Sequence, residues 1–453
     1  MKKTGWIYLV AVVLLLLMPL AKIVHDICHY DLMLPDFTAY CAVSRALFEG
    51  KNPFPDHYEV LFETIESWGS TVPIVYPGQI LFFALPGFLW GAWLKIVYFL
   101  LNIAVLFFLT GLTLVRACGF RWRDLLVPGR KQFLYALCCF GFLSSANVRD
   151  AMSAGQIPII LTLCLYGLFW GPPSRVLRTL LFAFVAAAKY SVLPVFAPLL
   201  FLKGRWKLCI AAFSVFVLLS ISPVFCGNNL ADVYRGYFEA VSTTVQPGGI
   251  NHYGAYPEMC HLAFFKIPML NHLLTAAAVC LVLWLFWRER RSKDFTDTLL
   301  LLAFSLTMLV SYHRRWDFTL LFPLFFIRLF DFAGKKQWRL FWITVLFPLF
   351  LVLPSTVSVL MVPSWIGGTM PRLGSVLYLY DNVWETSYTH IFPIMPFFSM
   401  ALALWSLYLY LHVKEPYRFE MPEPRRSAVP ERDHSAVADV QDAPGVSLKG
   451  EPA

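Results

Sequence analysis

The chain has 453 residues, of which 58% are hydrophobic and only 14% charged, with a formal net charge of +9. A soluble domain carries roughly 25% charged residues, so the composition excludes an ordinary water-soluble enzyme. The positive charge is no nucleic-acid signature either. Lys and Arg sit in short clusters between apolar runs close to the ~20 residues that cross a bilayer, which is the pattern of cytoplasmic loops.

The first apolar run, Trp6 to Ala21, follows Lys2 and Lys3. No small-x-small cleavage site comes after it, and many further runs do, so it reads as a retained helix over about 6–24. With the N-terminus cytoplasmic, an outer loop follows over about 25–93. From Phe37 to Phe48 its apolar residues recur at helical spacing, which predicts an amphipathic helix on the membrane surface. Gly50 suits the stop of that helix, and Asn52-Pro53 a turn. Gly78 to Gly91 is apolar but only about fourteen residues long, and Pro86 interrupts it. A full crossing there would place every later basic cluster outside, so it reads as a re-entrant or interfacial segment.

Helices are then predicted over about 94–115, 132–147 and 155–171, followed by a hairpin over 176–202 with Lys189 near its apex. Another helix, about 208–226, leads to a second outer loop at 227–268. Helices over about 269–287, 296–311, 317–333 and 338–361 lead to a third outer loop at 362–391. A last helix, about 392–412, returns to a tail at 414–453. That tail is rich in Pro, Glu, Arg, Ser and Ala, which predicts disorder. The fold class is therefore an all-α, polytopic membrane bundle of about 12 transmembrane helices. Residues 1–413 form one membrane domain, and both termini are cytoplasmic because most of the Lys and Arg then lie inside. The expected location is a bacterial plasma membrane.

The ten cysteines show no CxxC pair. Most lie in apolar runs and read as core residues. Cys28, Cys41, Cys226 and Cys260 fall in or near outer segments, where a disulfide among them is an open alternative. His252, Glu258 and His261 lack zinc-site spacing, so no metal is expected. No Gly-rich phosphate loop occurs, which argues against an ATP-driven function.

The unusual polar residues gather on the outer face. Asp36 begins the surface helix. It can cap that helix, and it can also act as a general base for an acceptor hydroxyl. Arg149 and Asp150 precede Gly155-Gln156, Lys189 lies at the hairpin apex, and His313, Arg314, Arg315 and Asp317 cluster after the helix ending near 311. Ionisable groups at the ends of apolar spans are costly unless they are paired or face a polar cavity. Several loops deliver positive charge to one face, which suits an anionic ligand such as a phosphate. The bland alternatives are snorkelling side chains and local pairs such as Arg149 with Asp150.

Four landmarks resemble glycosyltransferase family 87, within the C superfamily of polyprenyl-phosphate-sugar-dependent membrane enzymes that includes phosphatidylinositol-mannoside mannosyltransferases. They are Asp36-Phe37 with Tyr40 and Gly50-Lys51-Asn52-Pro53-Phe54, then Tyr76-Pro77, then Gly155-Gln156 with Lys189, and finally Ser311 to Asp317 with its central His313. Phe54 stands where the family often has Tyr, and Gly78 follows Pro77 directly. The resemblance implies Asp36 as the catalytic base and His313 as a ligand of the donor phosphate. Tyr40, Tyr76, Arg149, Gln156, Lys189 and Arg314 complete the expected substrate-binding set. The implied reaction transfers a hexosyl, by resemblance mannosyl, group to a lipid or glycan acceptor with inversion. The donor is a lipid-linked sugar, and no further cofactor is expected. The rival reading is a lipid or lipid-linked-sugar translocase, which would favour internal repeats and an acid within a span. Neither is evident.

Overall fold

The computed structural model describes residues 3–29, 34–54, 76–89, 92–170, 174–245, 268–292, 294–311, 313, 315–360, 394–413 and 418–419. Nearly all of these are helical. The first segments are α1 (Lys3–His29), α2 (Pro35–Phe48), α3 (Ile80–Phe88) after a 3-10 turn at Pro77–Gln79, and α4 (Ala92–Cys118). Next come α5 (Trp122–Leu126), α6 (Arg130–Ser144), α7 (Ala146–Ala154), α8 (Pro158–Trp170), α9 (Arg175–Ala188) and α10 (Leu193–Leu200). Beyond these are α11 (Trp206–Phe225), α12 (Leu230–Val245), α13 (Pro268–Glu289), α14 (Asp297–Val310), α15 (Phe322–Gly334), α16 (Trp338–Leu360) and α17 (Ile394–His412). Two short strands, β1 (Phe295–Thr296) and β2 (Arg418–Phe419), pair antiparallel.

Each apolar run read from the sequence coincides with one of these helices. Among the described residues, three stretches are long and apolar enough to cross a membrane by length and composition alone: Trp93–Cys118, Tyr190–Phe225 and Met269–Glu289. The second contains a reversal. Lys203 and Gly204 leave helical geometry, Gly204 with φ +75°. Cys209 Sγ reaches the Ala197 carbonyl at 3.8 Å, whereas twelve residues of straight helix would separate them by about 18 Å. The chain thus doubles back between α10 and α11, where the basic residues mark a turn.

The centre is α14, buried from Asp297 to Leu309, as expected of a helix that is apolar all round. On the outside, large apolar side chains such as Ile7, Leu100, Phe213, Leu283 and Trp342 are exposed. A belt of this kind suits lipid rather than water.

At the end of the bundle holding the basic turns, charges are paired rather than solvated. Lys203 is buried, and its Nζ donates to Glu289 Oε2 and to the Asp294 carbonyl, both at 2.5 Å. Tyr410 donates to the other Glu289 oxygen. Arg328 Nη2 donates to Asp297 Oδ1 at 2.5 Å. These contacts tie the α10–α11 turn to α13 and, through Glu289, to α17, and they tie α15 to α14. Buried acids, unremarked in the sequence, are therefore present at the helix ends, each with a cation beside it.

The first outer segment differs from the sequence expectation. The helix over 37–48 is α2, but it does not lie open on a surface: Phe37, Cys41, Val43 and Leu47 are buried. The apolar segment that follows folds as α3 and packs along it. At 9 residues, α3 spans about 14 Å, too short for a crossing. The contact is close because Gly87 presents no side chain. A Cβ there would sit 2.5 Å from the Cys41 carbonyl oxygen. Gly50 does end α2, with φ +75°. Cys41 and Cys226 carry free thiols, while Cys260, His252, Glu258, His261, and all of the tail except the two residues of β2 lie outside the described residues.

Replacing Gly87 by Ala forces α2 and α3 apart and should lower the apparent melting temperature in detergent by several degrees. Gly141→Ala should do the opposite or nothing, because a Cβ there meets its nearest atom at 4.0 Å and Ala favours a helix interior by about 1 kcal/mol over Gly.

Candidate active site

Two polar groups meet at the short helix α7. The first is built around Asp36. The chain enters α2 through Leu34, which adopts a left-handed conformation (φ 56°), and Pro35 takes the first helical position. Proline suits that position because its fixed φ is helical and its missing N–H is not needed. Leu34, not Asp36, is therefore the N-cap, and Asp36 lies inside the first turn, where the helix dipole favours a carboxylate. A left-handed leucine costs about 1–2 kcal/mol, and the packing around it overrides that cost. Leu34 is almost fully buried.

Gly155 is what lets α2 approach. It ends α7 with φ +72°, and a Cβ on it would lie 2.8 Å from Leu34 Cβ and 2.9 Å from Phe37 Cβ. The next residue, Gln156, donates from Nε2 to Asp36 Oδ2. Its Oε1 accepts from the Tyr40 hydroxyl at 3.1 Å, and its carbonyl accepts from the Tyr98 hydroxyl at 3.1 Å. The Tyr98 ring stacks on Phe37 with centroids 4.1 Å apart. The Gly155-Gln156 pair thus has two jobs, a close approach and a clamp.

The second group joins two hairpins. Lys189 Nζ donates to both Asp317 oxygens, at 2.6 and 2.5 Å. His313 Nδ1 lies 3.1 Å from Asp317 Oδ2. Asp317 and His313 are fully buried, and the Lys189 side chain is 18% exposed. Burial alone would raise Asp317, but Lys189 and His313 beside it hold its pKa down at about 2. Burial lowers His313 below the ordinary imidazole value, Asp317 opposing and Lys189 adding to the shift. His313 is accordingly neutral at pH 7, with its Nδ1–H donated to a carboxylate that can only accept.

Other expected residues fall nearby or elsewhere. Arg149 is half-buried on α7. Asn147, on the same helix, donates to Thr319 at 3.3 Å, which seats the 3-10 turn Arg315–Leu321 carrying Asp317 against α7. Tyr76 does not join Asp36. Its hydroxyl pairs with Ser220 at 2.8 Å, and its ring stacks on Phe216 and lies 5.9 Å from Tyr190, the neighbour of Lys189. Arg314 lies outside the described residues. Three residues absent from the expected set carry weight: Tyr98, Gln79, which donates to the Ala187 and Ala188 carbonyls just before Lys189, and Asp317. Of these only Asp317 had a sequence signal, its place beside His313. Among the described residues no His, Cys, Asp and Glu side chains group as a metal site.

Gln156 thus holds Asp36, and Lys189 pairs with Asp317, both at the ends of apolar helices. The chain matches the model of glycosyltransferase family 87 over residues 75–311, more than half its length, and it belongs to that family. It is a membrane glycosyltransferase. The match takes in Tyr76, Arg149, Gln156 and Lys189; Asp36 and His313 fall outside its ends. No curated protein and no solved structure matches the chain.

Lys189→Met should destabilise the protein by about 3 kcal/mol, because it takes the cation from a buried ion pair. The double variant Lys189→Met/Asp317→Leu should recover much of that loss, since an apolar pair can replace a buried ion pair. Thermal unfolding in detergent checks the order: single variant below double, double near wild type.

Proposed function

We propose that the protein transfers a hexosyl group, mannosyl by family resemblance, from a polyprenyl-phosphate donor to a lipid or glycan acceptor on the outer face of the membrane. The acceptor hydroxyl gives its proton to Asp36 as its oxygen attacks the anomeric carbon. The bond from that carbon to the phosphate oxygen breaks, polyprenyl phosphate departs from the opposite side, and the configuration inverts. In this reading the chain crosses the membrane twelve times with the short α3 re-entrant, so that the site lies opposite the cytoplasm. Nucleotide sugars are confined to the cytoplasm, so an outward-facing site requires a lipid-borne sugar.

The observation that carries this reading is the convergence of two groups on α7. The Gly155-Gln156 turn at its end holds Asp36, and its Asn147 holds the turn bearing Asp317. The two carboxylates have different capacities. Asp317, near pKa 2 beside Lys189, is too weak a base to accept a hydroxyl proton, and the family resemblance gives that role to Asp36. Arg149, Lys189, His313 and Arg314 together are the groups assigned to the charge that gathers on the departing phosphate. A guanidinium can meet phosphate oxygens bidentately, and such groups stabilise developing charge in a water-poor site.

The test supplies purified protein, in detergent with native lipids, with radiolabelled polyprenyl-phosphate-mannose and a membrane extract as the acceptor source. Wild type should move label into a new product. Asp36→Asn should lose activity by roughly 10²–10⁴-fold, the usual worth of a general base, while still retaining donor. Full activity in the variant would remove Asp36 from the mechanism. Donor binding without transfer to any acceptor would favour a translocase.

A further inference from the structure

We infer that Gln156 is a positioning residue, not a substrate ligand: it sets the orientation of the Asp36 carboxylate, and Tyr40 acts on the reaction by setting the orientation of Gln156. The inference rests on the reading of Asp36 as the base.

The geometry has three parts. A carboxylate accepts only, so the amide nitrogen of Gln156 must face Asp36 and its oxygen must face away. Tyr40, on the same face of α2 one turn after Asp36, donates to that oxygen at 3.1 Å. A flip of the amide would break both bonds at once. The backbone of Gln156 is fixed in turn, since Tyr98 holds its carbonyl at 3.1 Å and the left-handed Gly155 before it is packed against Leu34 and Phe37. Tyr98 is itself held by the stack with Phe37, the residue that follows Asp36. Both tyrosine contacts of Gln156 and the Asp36 bond itself therefore tie it to α2.

The chemistry of an amide suits this task. A lysine or arginine at position 156 would orient the carboxylate too, but its charge would favour the ionised form and depress the basicity by 1–3 pKa units, as Lys189 does to Asp317. A neutral amide contributes orientation without that charge. A base must sit within hydrogen-bond reach of its proton in the attacking geometry, and small misplacements cost rate rather than binding.

The experiment measures kcat and KM for donor and acceptor in Gln156→Leu, Gln156→Glu, Tyr40→Phe and the double variant Gln156→Leu/Tyr40→Phe, beside Asp36→Asn. Gln156→Glu keeps the volume and an acceptor for Tyr40 but loses the donor at neutral pH, so it separates loss of the clamp from loss of packing. Expected are drops in kcat of roughly 10–100-fold for both Gln156 variants, with both KM values within about two-fold of wild type, because an interaction that serves the transition state alone leaves binding intact. Tyr40→Phe should cost less, and should cost nothing further in the Gln156→Leu background. A raised KM with unchanged kcat would make Gln156 a substrate contact and overturn the inference, as would additive losses from Tyr40 and Gln156. Wild-type kinetics in the Gln156 variants with Asp36→Asn inactive would sink this inference alone. An active Asp36→Asn would sink the reading on which it rests.

Discussion

An ionised side chain among apolar helices costs several kcal/mol unless a partner offsets its charge, and both ends of this bundle are arranged around that cost. At the basic end, Lys203 and Arg328 are buried against Glu289 and Asp297, and the pairs stitch turns that would otherwise be held only by apolar packing. At the other end, Lys189 and Asp317 do the same for two hairpin connections. The pairing also sorts the carboxylates by chemistry. One is locked against a cation and stays ionised over the whole working range, while the other is oriented by an amide at the start of a helix.

Close backbone approach is the second constraint, and it places the candidate base. α2 enters the site only because Gly155 and Gly87 leave room for it on two sides. The first contact sets the start of the helix, where Asp36 lies, and the second sets its length against α3. The left-handed Leu34 is accommodated in the same contact, its side chain buried where Gly155 leaves space. Function at Asp36 is in this sense a packing problem solved by residues that carry no chemistry themselves.

Much of this was legible in the sequence, for identifiable reasons. Helices in an apolar chain announce themselves by length, and basic clusters mark their turns; even the reversal at Lys203–Gly204 falls where Lys203, Arg205 and Lys207 predict it. Gly50 was readable as a helix stop because its function is local. The environment of α2 was not readable. Its spacing of apolar residues describes a helix with one buried face, and nothing local tells whether lipid or another helix covers that face; α3 does. The partner of Lys189 on the outer face was unreadable for a related reason. Lys189 and Asp317 are far apart in the chain, and charge counted by position cannot show that one neutralises the other. Tyr98 and Gln79 were missed because a tyrosine or glutamine in an apolar run carries no pattern of its own, and their partners are backbone carbonyls. The ring partners of Tyr76, on α11, α12 and at Tyr190, were likewise unreadable, because they lie far along the chain.

The central claim is single displacement from a lipid phosphate with a carboxylate as base, and the stereochemistry of the product tests it most directly. The anomeric configuration of the newly transferred sugar, read by NMR from the one-bond carbon–proton coupling at the anomeric centre, is compared with that of the donor. The account predicts the opposite configuration in the product. Retained configuration would demand a covalent glycosyl intermediate and a second displacement, and would contradict a mechanism in which Asp36 only accepts a proton.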